Sequence, residues 1–258
     1  MATADERLPM PADWIVPDWP APRHVRGLMT TRNGGTSRGP WAGAAGGGCN
    51  LGTHCGDDPA AVAENRARFG AALPGPPAWL HQVHGIDAIV AGAPRATDAA
   101  PPTADAAHAS SPRAVCVVMV ADCLPVLLCD RDGTRVAAAH AGWRGLAAGV
   151  LESTVARAGM DPDRTVAWLG PCIGPARFEV GDDVRDAFGA AGERAFVRHG
   201  PGKWLADLPA LARLRLAACG VVDVTASGLC TVSDPRRFYS YRRDGVTGRM
   251  AAAVWIDG

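Results

Sequence analysis

The chain has no surplus of charge: 26 Lys and Arg stand against 26 Asp and Glu, a formal net charge of zero. Without a basic excess or a run of Lys and Arg, a nucleic-acid partner is not expected. No long apolar stretch is present, so no membrane span is expected. The first fourteen residues carry Asp5, Glu6 and Arg7 and lack both an apolar segment and a small-residue cleavage site, so they do not read as a secretory signal. Eight cysteines are scattered along the chain, and Cys116 and Cys129 sit inside apolar runs. Without a signal for export, reduced thiols and a cytoplasmic location are the expectation.

What is there suffices for a sizeable core. Of 258 residues, 48% are hydrophobic and 20% charged, and 31 Gly with 21 Pro announce many turns. Residues 24–31 read as a strand that ends in a turn at Thr31-Arg32-Asn33-Gly34-Gly35. Residues 39–48 are glycine-rich and read as a loop. Asp57-Asp58-Pro59 caps a helix over residues 60–73. Residues 79–84 and 86–91 are short strand candidates. Residues 94–113, rich in Ala, Pro and Ser, read as a mobile surface loop.

From residue 114 the signal strengthens. Residues 115–120, 125–129 and 135–140 are dense apolar runs, as expected of strands buried on both faces, with a turn at Asp130-Arg131-Asp132-Gly133. A helix is expected over 145–159, a strand over 165–169, helices over 182–190 and 208–219, and a strand over 221–225. There is no strict βαβ alternation, no repeat and no convincing linker. One α/β (α+β) domain over residues 1–258, with mixed β-sheets, is the simplest account.

Three segments bring potential metal ligands to the edges of these runs: His81-Gln82-Val83-His84-Gly85, Ala121-Asp122-Cys123-Leu124-Pro125 and His140-Ala141-Gly142-Trp143-Arg144-Gly145. Two imidazoles and a thiolate suit zinc, and three protein ligands leave a fourth position open, as in catalytic sites. The separations are too wide for a zinc finger and fit a site assembled where strand ends converge. Local chemistry alone does not separate His81 from His84.

With these residues in view, the chain resembles the laccase-domain family, also called the YfiH/YlmD family, whose mammalian relative is FAMIN. The likeness runs through Thr31-Arg32-Asn33-Gly34-Gly35-Thr36-Ser37, Asn50-Leu51-Gly52, Gly56-Asp57-Asp58-Pro59, Gln82-Val83-His84-Gly85, the Cys123 and His140 segments, Gly170-Pro171-Cys172-Ile173-Gly174-Pro175 and Phe238-Tyr239-Ser240-Tyr241-Arg242-Arg243-Asp244-Gly245. It departs at residues 42–48, which look like an insertion, and at Ala107-His108, where the family usually places a larger apolar residue and a threonine.

The resemblance implies a layered sandwich with both sheets inside and helices outside, and it allows a homodimer. It implies zinc, rather than copper, on His84, Cys123 and His140. It also implies purine nucleoside phosphorolysis (of adenosine, inosine and methylthioadenosine) and hydrolytic deamination of adenosine. Zinc with one thiolate keeps a net charge of about +1, enough to polarise a water or an anionic oxygen. Phosphate favours an arginine fork, and Arg32 at its glycine-rich turn is the first candidate, ahead of Arg144 and Arg242. Asp122 reads either as a hydrogen-bond acceptor or proton carrier beside Cys123, or as the cap of a turn. Asn50 and Gln82 are further substrate-side candidates. Cys172 either lines the pocket or is a structural thiol. Two rivals remain. A cysteine hydrolase would use Cys123 as nucleophile and His140 as base, for example in editing peptidoglycan precursors. Multicopper polyphenol oxidation is disfavoured, because there are only seven histidines and no His-x-His pair.

Overall fold

The computed structural model describes residues 11–94 and 99–258. The expectation of no signal rests largely on residues 1–10, and part of the expected 94–113 loop falls on residues 95–98; both stretches lie outside the described residues. In chain order the elements are β1 (Val25–Met29), β2 (Asn33–Ser37), α1 (Pro59–Ala71), β3 (Pro77–Ala78), β4 (Ala88–Val90) and β5 (Ala106–Ala109). There follow β6 (Val115–Val120), β7 (Leu124–Asp130), β8 (Val136–Ala141), α2 (Trp143–Ala148), α3 (Val150–Arg157) and β9 (Thr165–Leu169). The rest are β10 (Glu179–Gly181), α4 (Asp182–Asp186), α5 (Gly189–Gly192), β11 (Phe196–Gly200), β12 (Lys203–Ala206), α6 (Leu208–Ala218), β13 (Asp223–Ala226), α7 (Tyr241–Asp244) and β14 (Met250–Ile256).

Two sheets carry the architecture. One has four strands in the order β1-β14-β6-β3; the other has six in the order β13-β9-β7-β8-β5-β4. Alternate residues of β6 show how they stack. Cys116, Val118 and Val120 share a core with Leu127, Cys129, Val136 and Ala138 of the six-stranded sheet. Val115, Val117 and Met119 turn the other way, onto Phe69 of α1. The far face of the six-stranded sheet packs on α2, α3 and α6 and on the small sheet β10-β12-β11. The result is a mixed α/β sandwich with both large sheets inside and helices outside. Burial on both faces explains the unbroken apolar runs, although most of the ladders are antiparallel rather than the parallel ones such runs usually mark.

Helix ends follow local chemistry. The Asp58 carboxylate accepts the Ala60 N–H at the start of α1, with Pro59 in the first position. Asp207 does the same for Ala210 of α6. Each cap is worth about 1 kcal/mol.

Several expectations are corrected. The turn read at residues 31–35 leads straight into β2, with Gly34 at φ 89°. The single helix read over 145–159 breaks at Gly149, whose φ of 103° ends α2 and starts α3. The helix over 182–190 is shorter, with a separate turn at Gly189–Gly192. Residues 79–84 form no strand, only a single bridge of His81 to Thr103; the short strand here is Pro77–Ala78. Most consequential is the surface loop read over 94–113, because it contains β5, a buried strand between β4 and β8.

Candidate metal centre

β7 and β8 run antiparallel with Leu124 opposite Ala141 and Pro125 opposite His140. Cys123, just before β7, therefore meets the turn that follows β8. His84 arrives from the irregular segment between β3 and β4. The ligand atoms of His84, Cys123 and His140 all lie within 4.8 Å of one another, and no other group of three such side chains is found among the described residues. Cys123 Sγ is 3.7 Å from His84 Nε2, and the two imidazoles meet edge to face with centroids 4.8 Å apart. His140 is buried, Cys123 half-buried and His84 exposed, so the cluster opens to solvent on the His84 side. His81 is not in the cluster; its backbone pairs with Thr103.

Asp105, which sequence reasoning had not singled out, organises this cluster. It is fully buried. Its carboxylate accepts the N–H groups of Val83, His84 and Gly85 at 3.1, 2.9 and 2.7 Å, and the His140 Nδ1–H at 2.8 Å. Three successive amides converging on one carboxylate form an anion nest, which needs a left-handed residue. His84 supplies it at φ 61°. The bond to Nδ1 fixes the His140 tautomer and leaves Nε2 free for a metal. Burial alone would raise the Asp105 carboxyl, but the His140 bond and the Gly85 and Val83 amides hold it below the ordinary carboxylate range. Burial would likewise raise the Cys123 thiol; the charge and hydrogen bonds of His140 and His84 pull it down instead. For His140 the sense reverses, with burial opposed by the Cys123 thiolate and Asp105, which push the imidazole up.

The glycines of His140-Ala141-Gly142-Trp143-Arg144-Gly145 have a steric reason. A Cβ on Gly142 would lie 2.7 Å from the His84 ring and 2.9 Å from Cys123 Sγ, and one on Gly145 would lie 2.9 Å from the Gly85 carbonyl. The ligands need that space.

Asp122 adopts φ 81° and is nearly buried. Its carboxylate accepts the Thr231 hydroxyl at 2.6 Å, the Ser240 hydroxyl at 3.0 Å and the Arg242 N–H at 2.7 Å. It clamps the 231–242 segment beside the cluster.

The other candidates are spread out. The Arg32 fork expected to face phosphate instead spans backbone carbonyls: Nε and Nη2 donate to Ala42 and Nη1 to Pro235. Asn50 is buried and ties Gly52, Asp57 and the Arg249 N–H together. Both amide atoms of Gln82 bond the Met119 backbone. Arg144 is exposed and lies over Trp143. Arg242 Nη1 donates to the Glu179 carbonyl. Cys172 is buried, and burial pushes its thiol well up.

A basic group that sequence reasoning missed lies beside the His84 segment. Arg66 rests on Trp79, 4.0 Å from its ring centroid, and donates to the Leu51 carbonyl. The Leu51 N–H donates to the Arg249 carbonyl, so Leu51 is bonded to Arg66 on one side and to the Arg249 backbone on the other. His54 follows in the same turn. Burial first, then the charges of Arg249, Arg66 and His81, hold its imidazole below the ordinary value. Arg249 lies just before β14, whose Met250 pairs with Val120, three residues from Cys123.

Among the described residues no helix is long and apolar enough to cross a membrane. A curated relative from Pseudomonas aeruginosa, named purine nucleoside phosphorylase, is 53% identical over 247 residues, covering 94% of this chain and 98% of that protein. One from Escherichia coli, named purine nucleoside phosphorylase YfiH, is 51% identical with the same coverage of both chains. The crystal structure of a Neisseria meningitidis protein matches with a TM-score of 0.88 at 48% identity, covering 95% of this chain and all of the other. That of YlmD from Geobacillus stearothermophilus matches at 0.82 and 30% identity, covering 92% and 93%. The family model described as multi-copper polyphenol oxidoreductase laccase matches residues 26–257, and the chain belongs to that family.

Proposed function

We propose that this chain is a zinc-dependent purine nucleoside phosphorylase that also deaminates adenosine. The observation that carries the reading is the His84, Cys123 and His140 cluster, open on one side, in a chain whose relatives at 51–53% identity bear the phosphorylase name. The donor set fits zinc: one thiolate, two imidazoles and a carboxylate behind one of them. Zinc held there supplies a charge of about +1 that polarises an oxygen presented at the open face. A cluster of three ligands offers no place for several coppers, so polyphenol oxidation is not part of the proposal.

The chain's own residues divide the remaining work. Asp105 holds His140 in one tautomer and His84 in one conformation. Phosphorolysis requires a phosphate oxygen to bond C1′ of the ribose as the bond from C1′ to the purine nitrogen breaks. The phosphate therefore needs a cationic seat near the cluster. All three guanidinium nitrogens of Arg32 are engaged by carbonyls, whereas Arg66 spends Nε on the Leu51 carbonyl and Arg249 spends Nη1 on those of Thr247 and Gly248. Arg66 and Arg249 take that role in the proposal, with His54 beside them as a neutral hydrogen-bonding group. In deamination water adds at C6 of the purine and ammonia leaves, with no phosphate required. Residues 1–258 are taken as one domain, because C-terminal β14 lies between β1 and β6.

Product analysis of the zinc-loaded protein with adenosine tests the reading. Adenine and ribose 1-phosphate are expected with phosphate present, and inosine with ammonia without it. Neither product in either condition refutes the proposal. Arg66→Lys is expected to raise the KM for phosphate at least tenfold and leave deamination within a factor of three.

One observation favours a second reading. The Cys123 thiol, pulled down by His140 and His84, is also what a cysteine hydrolase needs, including an amidase acting on cell-wall precursors. Alkylation separates the two. In metal-free protein Cys123 should react with iodoacetamide below the ordinary thiol pH range, since a depressed thiol is already ionised there. In the metal-loaded protein it should be protected. A loaded protein that still alkylates at Cys123 and loses activity in step would favour the hydrolase.

A further inference from the structure

Beyond the metal cluster, the thiols of the 172 and 230 segments are placed for chemistry the function above does not use. After β9 and β13, which pair in parallel, the two chains continue side by side. Cys172 faces Cys230 across a parallel bridge. The Cys172 N–H donates to the Leu229 carbonyl at 3.4 Å, and the Thr231 N–H to the Cys172 carbonyl at 2.9 Å. Bridged strands lie about 4.8 Å apart, and directly paired residues point their side chains to the same side. Disulfides span Cα separations of roughly 4.4–6.8 Å, so this pair needs rotamer changes rather than large backbone movement.

The two thiols have unlike surroundings. Cys230 is half-buried, and its Sγ accepts the Gly174 N–H at 3.2 Å. Gly174 can approach because it has no side chain: a Cβ there would lie 3.1 Å from Cys230 Cβ. Burial would raise the Cys230 thiol, but the Ser233 hydroxyl and the amides of Gly174, Ser233 and Val232 bring it below the ordinary range. Cys172 is buried and pushed up. Elsewhere, burial raises Cys49, Cys55, Cys116, Cys129 and Cys219. Among the described residues, Cys230 is therefore the one thiol outside the metal cluster that is both accessible and shifted toward thiolate.

We propose that Cys230 and Cys172 form a peroxide-sensitive dithiol, with Cys230 the attacking thiol and Cys172 the resolving one. The Cys230 thiolate attacks one oxygen of hydrogen peroxide. The S–O bond forms, the O–O bond breaks, and hydroxide leaves, giving a sulfenic acid. The Cys172 sulfur then attacks the Cys230 sulfur and expels the sulfenic oxygen, which leaves as water with the Cys172 proton. In total, two thiols lose two electrons and peroxide becomes two waters. Thr231, next to Cys230, donates to Asp122, so the new bond would form directly behind the residue that precedes Cys123.

The test is a thiol map of the full-length, metal-loaded protein. It is treated with one to five equivalents of hydrogen peroxide, quenched with N-ethylmaleimide, digested and analysed by mass spectrometry. The expected product is a Cys172–Cys230 cross-linked peptide, two hydrogens lighter than its components and split again by dithiothreitol. In Cys172→Ser, dimedone should trap a sulfenic acid at Cys230. In Cys230→Ser, Cys172 should stay reduced at the same dose. The wild-type map alone decides the pairing, so the result does not depend on either variant folding. Cys230 alkylating equally before and after peroxide, or pairing with any other cysteine, overturns the proposal.

Discussion

Two buried carboxylates stand on either side of the cluster and do different work. Asp105 receives the His140 imidazole and the three amides around His84, so it sets the position of two ligands at once. Asp122 adjoins Cys123 in sequence, yet its carboxylate turns away to Thr231, Ser240 and the Arg242 amide. Proximity in sequence to a member of the cluster is thus a poor guide to which acid positions it. Asp105, 21 and 35 positions from His84 and His140, bonds both, while the neighbour of Cys123 fastens a wall.

The contrast can be broken or sharpened experimentally. Cys123→Ser should have the largest effect, taking bound metal from one ion per chain to near none by elemental analysis while the circular dichroism spectrum is retained. Asp105→Asn comes next. It removes a charged acceptor from four donors, and metal affinity should fall about 10–100-fold with about 3 kcal/mol of stability lost, measured by competition with a chelator and by urea unfolding. Asp122→Asn should cost less, about 1–2 kcal/mol, with metal affinity within about threefold of wild type. If that variant lost metal as Asp105→Asn does, the two carboxylates would share one role. Smallest is Arg32→Lys. It trades a three-bond fork for a point charge and should lower stability by about 1 kcal/mol, leaving the KM for phosphate unchanged. A large rise in that KM would return Arg32 to the phosphate site.

Much of this was legible in the sequence because it depends on local pattern. β6 and β7 are dense in Val, Leu and Cys, and with the Val-Ala-Ala-Ala-His-Ala run of β8 after a short turn, two-sided burial reads from the unbroken apolar pattern. Cys123 and His140 could be placed at the ends of those runs. What escaped was carried by alanine and by long-range bonds. β5 reads Ala-Ala-His-Ala in a stretch of Ala, Pro and Ser, with no strong strand preference of its own, and it is a strand because β4 and β8 flank it. β14, central in its sheet, hides behind three alanines in the same way. Asp105 fell with β5. One signal was available: an acid between alanines in a segment that turns out to be buried must have partners. For Arg32 the local context suggests an anion, and what that context does not announce is the pair of carbonyls, from Ala42 ten positions on and Pro235 at the far end of the chain, that its guanidinium bonds.

The nest of amides around Asp105 also bears on when the centre is built. The carboxylate fixes residues 83–85 in a left-handed turn through bonds internal to the chain, and His140 is oriented by the same atom pair. Ordering those three residues, at about 1–2 kcal/mol each, is thereby charged to folding and not to ion capture. A zinc finger is the reverse case, in which the ion must organise its own ligands and its removal unfolds the chain. Here the socket precedes the ion. Dialysis against a chelator should therefore leave a compact protein with an unchanged far-ultraviolet spectrum, ready to take metal back without a refolding phase.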